Sequence, residues 1–371
     1  MTKILFLIHD LGQGGAEKVL VNLINNMDPT KFDISVTALF GGGVNEQFLA
    51  PHIHFRAVWK HCFPGNSKFM QFLSPRQLHK LCVKEHYDIE VSYLEGPSAR
   101  IISGCPHKDT KLVSWIHVQQ NDTKTLCKAF RNEKEARQCY DRFHQTICVS
   151  EYVKQDFCNL LDFRKPCKVL YNTVESDKIL GLSSDPAPEI RSDVGLRMIA
   201  VGTLKESKGY DRLLHIVKRL KEEQYAAHLY ILGIGPLQEW IESYIRENDL
   251  ADRVTLLGYQ TNPYKYVEKC DLFLCASHAE GFSTAATEAL IVGTPVCTVE
   301  VSGMKEMLGE HNEYGIVTEN DETALYKGIK GLLEDSSLLQ HYTKRASLRG
   351  KAFRTEETVK AVETMFNSLT G

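Results

Sequence analysis

Two carboxylates stand eight residues apart in the stretch SHAEGFSTAATEALIVGTPV, where a loop ending in Glu280, Gly281 and Phe282 runs into a helix expected from Thr284 to Val292. With Glu280 ahead of the helix and Glu288 two turns inside it, helix geometry separates them by about 12 Å of axial rise. An acid and a nucleophile that share one scissile bond sit ~5–10 Å apart. A wider pair suits hydroxyl groups at opposite ends of a long ligand, with the amides of the helix start between them receiving a diphosphate. A nucleotide-sugar has that shape. The two residues alone leave open a purely structural pair of glutamates on an α/β helix.

Glycine-rich turns supply the second chemical signal. A dinucleotide site needs G-x-G-x-x-G after a strand, and both candidate turns miss it. Gly12, Gly14 and Gly15 are followed by Ala16 and Glu17, and Gly233 and Gly235 lead to Gln238 where a third glycine belongs. What remains at Gly12–Gly15 is either a plain strand-to-helix turn or a flexible loop opening a helix whose first amides can meet an anion. No D-x-D occurs for a metal-bridged diphosphate, and the 14 histidines show no ligand spacing that makes a metal site. Taken alone, His117 reads as a core or loop histidine, and His52 and His54 as surface residues of a strand or loop.

These residues need a scaffold, and the apolar runs describe one. KILFLIH reads as a strand, LGQGGAE as a turn, and Lys18 to Met27 as a helix with Val19, Leu20, Leu23 and Ile24 on one face. FDISVTALF, IEVSYL, LVSWIHV, TICVS and KVLYN continue as strands alternating with polar or amphipathic stretches, the pattern of a parallel sheet with crossover helices. ESDKILGLSSDPAPEIRSDVG then reads as a linker. Strand and helix alternate again from LRMIAVGTL to TPVCTVEV, and a closing helix runs from about Phe353 to Leu369. The expectation is two tandem Rossmann-like α/β domains, 1–175 and 190–350, with the C-terminal segment 353–371 crossing back to the first. Ligands of such sheets lie beyond the strands' carboxyl ends, so a cleft between the two domains would hold the ligand.

Composition agrees with this size and excludes several classes. A chain of 371 residues exceeds one ordinary core. A net charge of −3 predicts no nucleic-acid partner. Through residue 180 there are 23 basic and 19 acidic residues, leaving 21 and 28 beyond it, so the first half suits an anionic partner and the second does not. The 11 cysteines are odd in number and lack C-x-x-C, which points to a reducing cytoplasm. Cys139, Cys148, Cys158 and Cys167 read as small buried hydrophobes. No run of eighteen apolar residues is present, so no membrane span is expected.

E-G-F-x(5)-E followed by A-L-x-x-G-T-P-V resembles the E-x7-E signature of the retaining GT-B glycosyltransferases of family 4. Four further segments agree in the family's order: Gly14–Glu17, the histidine of SWIHV, Val201–Gly209 as V-G-x-L-x(3)-K-G, and Gly233–Gly235 as G-x-G. The resemblance implies that Glu288 binds the ribose hydroxyls and that Glu280 holds the transferred sugar beside the amides of Gly281, Phe282, Ser283 and Thr284. Lys208 would neutralise the departing diphosphate. His117 would contact the donor sugar, and Gly14 and Gly15 would line the diphosphate or acceptor side. Gly233 and Gly235 belong to the donor half. Thr203 departs from the family, which commonly has an arginine there. Lys205 would substitute for it as a point charge without the bidentate fork.

The implied activity is transfer of a sugar from a nucleotide donor, most simply a UDP-sugar, to an acceptor hydroxyl with retention and without metal or cofactor. A sugar-nucleotide epimerase or hydrolase and a non-catalytic nucleotide-sugar-binding protein are the alternatives. Residues 59–80 interleave Trp59, Phe63, Phe69, Met70, Phe72 and Leu73 with Lys60, Lys68, Arg76 and Lys80. Such a segment suits either a helix with one buried face or docking on an anionic membrane surface. Docking would fit a lipid-linked saccharide or glycolipid acceptor at the cytoplasmic face.

Overall fold

A computed structural model describes residues 1–370 apart from Gln13, Asn121, Ala279, Glu280 and Gly281. The chain separates into two compact units, Met1–Val174 with Thr355–Gly371 (unit 1) and Glu175–Arg354 (unit 2).

Unit 1 is built on β1 (Thr2–Ile8), β2 (Phe32–Phe40), β3 (His54–Trp59), β4 (Ile89–Tyr93), β5 (Lys111–Ile116), β6 (Gln145–Cys148) and β7 (Cys167–Val169). All pairings are parallel, in the order β3-β2-β1-β4-β5-β6-β7, with Phe6 of β1 opposite Val36 on one side and Val91 on the other. Helices cover both faces, so Ile4 to Ile8 are buried without alternation. The helix Gly15–Asn26 buries Val19, Leu20, Leu23 and Ile24, the face expected from their spacing.

Unit 2 repeats the plan with β8 (Leu196–Val201), β9 (Ala227–Leu232), β10 (Val254–Gly258), β11 (Leu272–Cys275), β12 (Val296–Val299) and β13 (Ile316–Thr318). Their order is β10-β9-β8-β11-β12-β13. In each sheet the strand order reverses beside the first strand, between β1 and β4 and between β8 and β11. That reversal opens a crevice at the carboxyl ends of those strands.

The stretch expected to be a linker is partly helix. Ser176–Ser183 forms a helix within unit 2 that packs on the helices Tyr264–Lys269 and Thr284–Ile291. Its buried residues are Ser176, Ile179 and Ser183, a helical stripe that composition hides because two of the three are serines. The first unit therefore ends at Val174, and residues 353 and 354 belong to unit 2. The edge strands β3 and β13, absent from the sequence reading, are half-exposed and carry little apolar pattern.

The closing helix spans Thr355–Thr370 and lies in unit 1. Phe366, fully buried, meets Phe6 and Phe32 edge-on at 6.0 and 6.3 Å, and Glu363 Oε1 accepts the Asp28 amide at 2.7 Å. Phe366→Ala should destabilise unit 1 by about 3–5 kcal/mol. Urea unfolding followed by tryptophan fluorescence checks this, and an unchanged midpoint would contradict the packing.

Candidate functional site

At the crevice of unit 2, three turns touch backbone to backbone. A Cβ on Gly233 would stand 1.9 Å from the Gly202 carbonyl oxygen, and one on Gly209 would stand 2.0 Å from the Ala276 carbonyl oxygen. Gly209 also holds φ +66°, which favours glycine. Gly235 presses on Leu204, whose amide donates to the Ile234 carbonyl. Gly233 and Gly235 thus act by letting the turn after β9 close on the turn after β8.

The product of this closure is a fixed place for Lys208. It ends a short 3-10 turn, Glu206–Lys208, and the His278 amide ties that turn to the next loop by donating to the Ser207 carbonyl at 2.8 Å. The aliphatic stem of Lys208 passes over Gly202, its Cε 3.7 Å from where a Cβ would be. Lys208, Tyr210, Ser277 and Ser283 line a cavity of about 20 Å³, room for about one water. Thr203 and Lys205 are exposed on the rim of the same turn.

Thr284–Ile291 is helical, shorter by one residue than expected, and capped by Ser283, whose Oγ accepts the Ala286 amide at 3.3 Å. Glu288 is the fifth residue of this helix, so about 6 Å of rise separates it from the helix start. That is one turn and not the two expected. The Tyr264 hydroxyl donates to Glu288 Oε1 at 3.2 Å, and burial followed by the Glu288 charge raises the phenol's pKa. Tyr264 is thus a positioning partner that no motif announced. Phe282 is buried, its ring edge-on to that of Phe353 at 6.0 Å. Glu280 and Gly281 lie outside the described residues.

In unit 1 the matching edge carries His117, directly after β5. Its ring is 4.4 Å from that of Tyr93 and stacks beyond it on Trp115 at 6.3 Å. His117 is 6% exposed, and its Nε2 is buried without a hydrogen-bond partner among the described residues. Burial pulls its pKa down to about 3, so the imidazole is neutral at physiological pH. The Tyr93 hydroxyl and Trp115 Nε1 beside it are likewise buried without a partner among the described residues.

Below it sits Glu95, which the sequence reading passed over. Glu95 Oε2 accepts the His117 amide and Oε1 accepts from Gln120 Nε2, each at 3.0 Å. Desolvation raises its pKa, with the hydrogen bonds opposing. The turn that carries it holds Leu94 at φ +78° and Gly96 at φ +84°. For Leu94 this conformation costs roughly 1–2 kcal/mol. An acid between two such residues just past a strand end was the available signal. Gly14 caps the helix Gly15–Asn26 without any side-chain bond, and a Cβ on it would strike the Glu17 carboxylate, whereas Gly15 faces open space.

Two clusters of metal-ligating type occur among the described residues, His79 with Glu90 and Cys105, and His86 with His107 and Asp109. Sequence spacing had shown neither, because each joins separate segments. Glu90 lies near the start of β4, and His86 and Asp109 precede β4 and β5, the opposite edge from His117. Of the four cysteines read as buried hydrophobes, Cys139 and Cys148 are buried, while Cys158 and Cys167 are half-buried with their sulfurs 3.7 Å apart. Trp59 and Phe63 of the aromatic segment pack against Phe40 and each other, and Phe72 stands 86% exposed.

The family model described as Glycosyl transferases group 1 matches residues 190–349, and that described as Glycosyltransferase Family 4 matches residues 13–178. The chain is similar to the N-acetylgalactosamine-N,N'-diacetylbacillosaminyl-diphospho-undecaprenol 4-alpha-N-acetylgalactosaminyltransferase of Campylobacter jejuni, 29% identical over 370 residues covering 95% of this chain and 96% of the relative. A putative colanic acid biosynthesis glycosyltransferase, WcaL of Escherichia coli, is 30% identical over 170 residues, covering 43% of this chain and 42% of the relative. Among solved structures, Anabaena HepE in complex with UDP superposes with a TM-score of 0.77 at 19% identity, covering 99% of this chain and 100% of that one. Sucrose-phosphate synthase from Thermosynechococcus elongatus superposes at 0.78 and 16% identity, covering 99% of each chain.

The buried histidine has a measurable signature. With the folded-state pKa of His117 near 3 and the unfolded value near 6.5, the unfolded chain takes up the proton first. Stability is therefore full above the unfolded value and falls as pH drops below it. His117→Gln should lose less stability than the unaltered protein between pH 6.5 and pH 4, as measured by urea midpoints. Parallel losses in both proteins would contradict a neutral buried imidazole.

Proposed function

Since the chain belongs to the GT-B glycosyltransferases of group 1, we propose that it moves a sugar from a UDP-sugar to a hydroxyl of a lipid-linked saccharide, with retention at the anomeric carbon. The observation that carries this reading is the fixing of Lys208 over Gly202 at the crevice of unit 2, beside the Ser283-capped helix that bears Glu288. We assign Glu288, which accepts from Tyr264, to the ribose hydroxyls. A UDP complex is named for the similar HepE, and a diphospho-undecaprenol saccharide for the Campylobacter relative. These support a uridine donor and a lipid acceptor.

In this reaction the bond from the anomeric carbon to the phosphate oxygen breaks and the bond to the acceptor oxygen forms on the same face. The acceptor's proton goes to the departing phosphate oxygen. The protein contributes position and a fixed positive charge, supplied by Lys208 with Lys205 at the rim in place of the family arginine that Thr203 replaces. Glu280 and the Gly281 amide are assigned to the transferred sugar. The neutral His117 offers a ring nitrogen to a sugar hydroxyl, and Gly14 and Gly15 open the adjacent loop. The diphosphate is held without metal, so chelation should leave turnover unchanged. No helix among the described residues is long and apolar enough to cross a membrane. We assign the protein to the cytoplasmic face, resting on the membrane through residues 59–80, where Phe72 and Phe69 are exposed.

Lys208→Ala should lower kcat by about 10²–10³-fold with a small change in donor affinity. Glu288→Ala should weaken UDP-sugar binding by about 10–100-fold, the loss of one or two charge-assisted hydrogen bonds. Calorimetry with UDP and an assay resolving the product anomer test both. Donor consumption without acceptor would favour a hydrolase or epimerase, and an intact donor across acceptors would favour a binding protein.

A further inference from the structure

Three cysteines that the sugar transfer does not use meet at one edge of unit 1. Cys148 ends β6, Cys158 lies in the helix Glu151–Leu161, and Cys167 opens the edge strand β7. The register sets Cys167 opposite Thr146, so it shares a face of the sheet with Thr146 and Cys148. The helix brings Cys158 onto that face, where its thiol donates to the Cys167 sulfur at 3.7 Å.

Backbone bonds hold this meeting in place. The Phe163 amide donates to the Cys158 carbonyl at 2.9 Å, and the Leu170 amide to the Cys148 carbonyl at 3.0 Å. Gln145 Nε2 donates to the carbonyl of Pro166, next to Cys167, at 3.1 Å. The chain between the two touching cysteines turns back through Asp162 at φ +48°. Cys158 and Cys167 are half-buried, whereas Cys148 is buried.

The three sulfurs are chemically unequal. Burial pushes the thiols of Cys82, Cys105, Cys270 and Cys297 up, as it does for most cysteines of this chain. Cys167 moves the other way. The Cys148 thiol donates to its sulfur and brings it down to about 7 against the cost of burial, with the Cys158 thiol and the Lys154 ammonium adding to the effect. Burial, and then the charge on Cys167, push Cys158 up to about 12. A stabilised thiolate in contact with a protonated thiol, both within reach of solvent, is the arrangement of a peroxide-sensitive pair.

We propose that Cys167 is a nucleophilic cysteine that hydrogen peroxide oxidises, and that Cys158 resolves the product into a Cys158–Cys167 disulfide. The Cys167 sulfur attacks one peroxide oxygen, the O–O bond breaks, and the departing hydroxide takes a proton from solvent to become water. Cys167 then carries a sulfenic acid. The Cys158 sulfur attacks the Cys167 sulfur, the S–O bond breaks, and the hydroxide leaves as water with the Cys158 proton. Two thiols lose two electrons, and one peroxide becomes two waters. The sulfurs have about 1.7 Å to close before reaching the ~2.05 Å of the bond. Cys158 is the resolving partner because its sulfur touches that of Cys167, and buried Cys148 serves as hydrogen-bond donor. The bond staples the end of the helix Glu151–Leu161 to an edge strand of three residues, and a dithiol reductant releases it.

The test exposes the full chain to hydrogen peroxide, blocks the remaining thiols and maps the peptides by mass spectrometry without reduction. A peptide pair joined through Cys158 and Cys167, lighter by two hydrogens and separated by dithiothreitol, is expected. Cys158→Ser, or Cys158→Ala if serine prevents folding, should stop at the sulfenic acid, trapped by dimedone on Cys167. Cys148→Ala should raise the pH midpoint of Cys167 alkylation by iodoacetamide. In the unaltered protein at pH 7, Cys167 should be alkylated at least about threefold faster than Cys62, although Cys62 is the more exposed. A cross-link through Cys148, dimedone on Cys62 in preference to Cys167, an unmoved midpoint in Cys148→Ala, or alkylation of Cys167 no faster than of Cys62 would overturn the proposal.

Discussion

The chemistry of unit 2 depends on one constraint, the backbone contact of the turns that follow β8, β9 and β11. Carbonyl oxygens of Gly202 and Ala276 approach Gly233 and Gly209 so closely that no side-chain carbon fits between them. A lysine on an ordinary loop samples many rotamers and would lose that freedom when it met a diphosphate. Here the loop is already fixed, so Lys208 would lose less freedom on meeting an anion. Gly233 and Gly209 therefore hold the geometry of this site by letting the turns close on one another.

Unit 1 uses polarity where unit 2 uses close approach. Aromatic rings from β4 and β5 dehydrate His117 and keep it neutral, while the His117 amide and Gln120 donate to the Glu95 carboxylate. His117 Nε2 is left unsatisfied among the described residues, as are the Tyr93 hydroxyl, Ser114 Oγ and Trp115 Nε1 on the same strands, and the Glu95 carboxylate is desolvated. Both conditions cost folding free energy. The strained Leu94 lies in the same turn, as expected where position matters more than local stability.

The parts of this architecture that could be read from the sequence were those with a strong local signal. Continuous apolar runs such as KILFLI mark strands buried on both faces, and Ser283 marks the start of the helix Thr284–Ile291. Weak periodicity concealed the rest. Ser176–Ser183 packs through serines, and the edge strands β3 and β13 bury too little to show a pattern. Glu95, Tyr264 and the cysteine pair at 3.7 Å gain meaning only from neighbours distant in sequence, which no spacing rule can supply.

The return of the Thr355–Thr370 helix makes unit 1 discontinuous along the chain. Thr355 Oγ1 donates to the Val174 carbonyl at 2.7 Å, so the two points where the chain leaves and re-enters unit 1 are stitched together. During translation, unit 2 is complete before Phe366 has been made, and the apolar rings of Phe6 and Phe32 await their cover throughout that interval. The order of synthesis therefore leaves unit 1 as the last to close, with the Phe6 and Phe32 rings uncovered until the Thr355–Thr370 helix arrives.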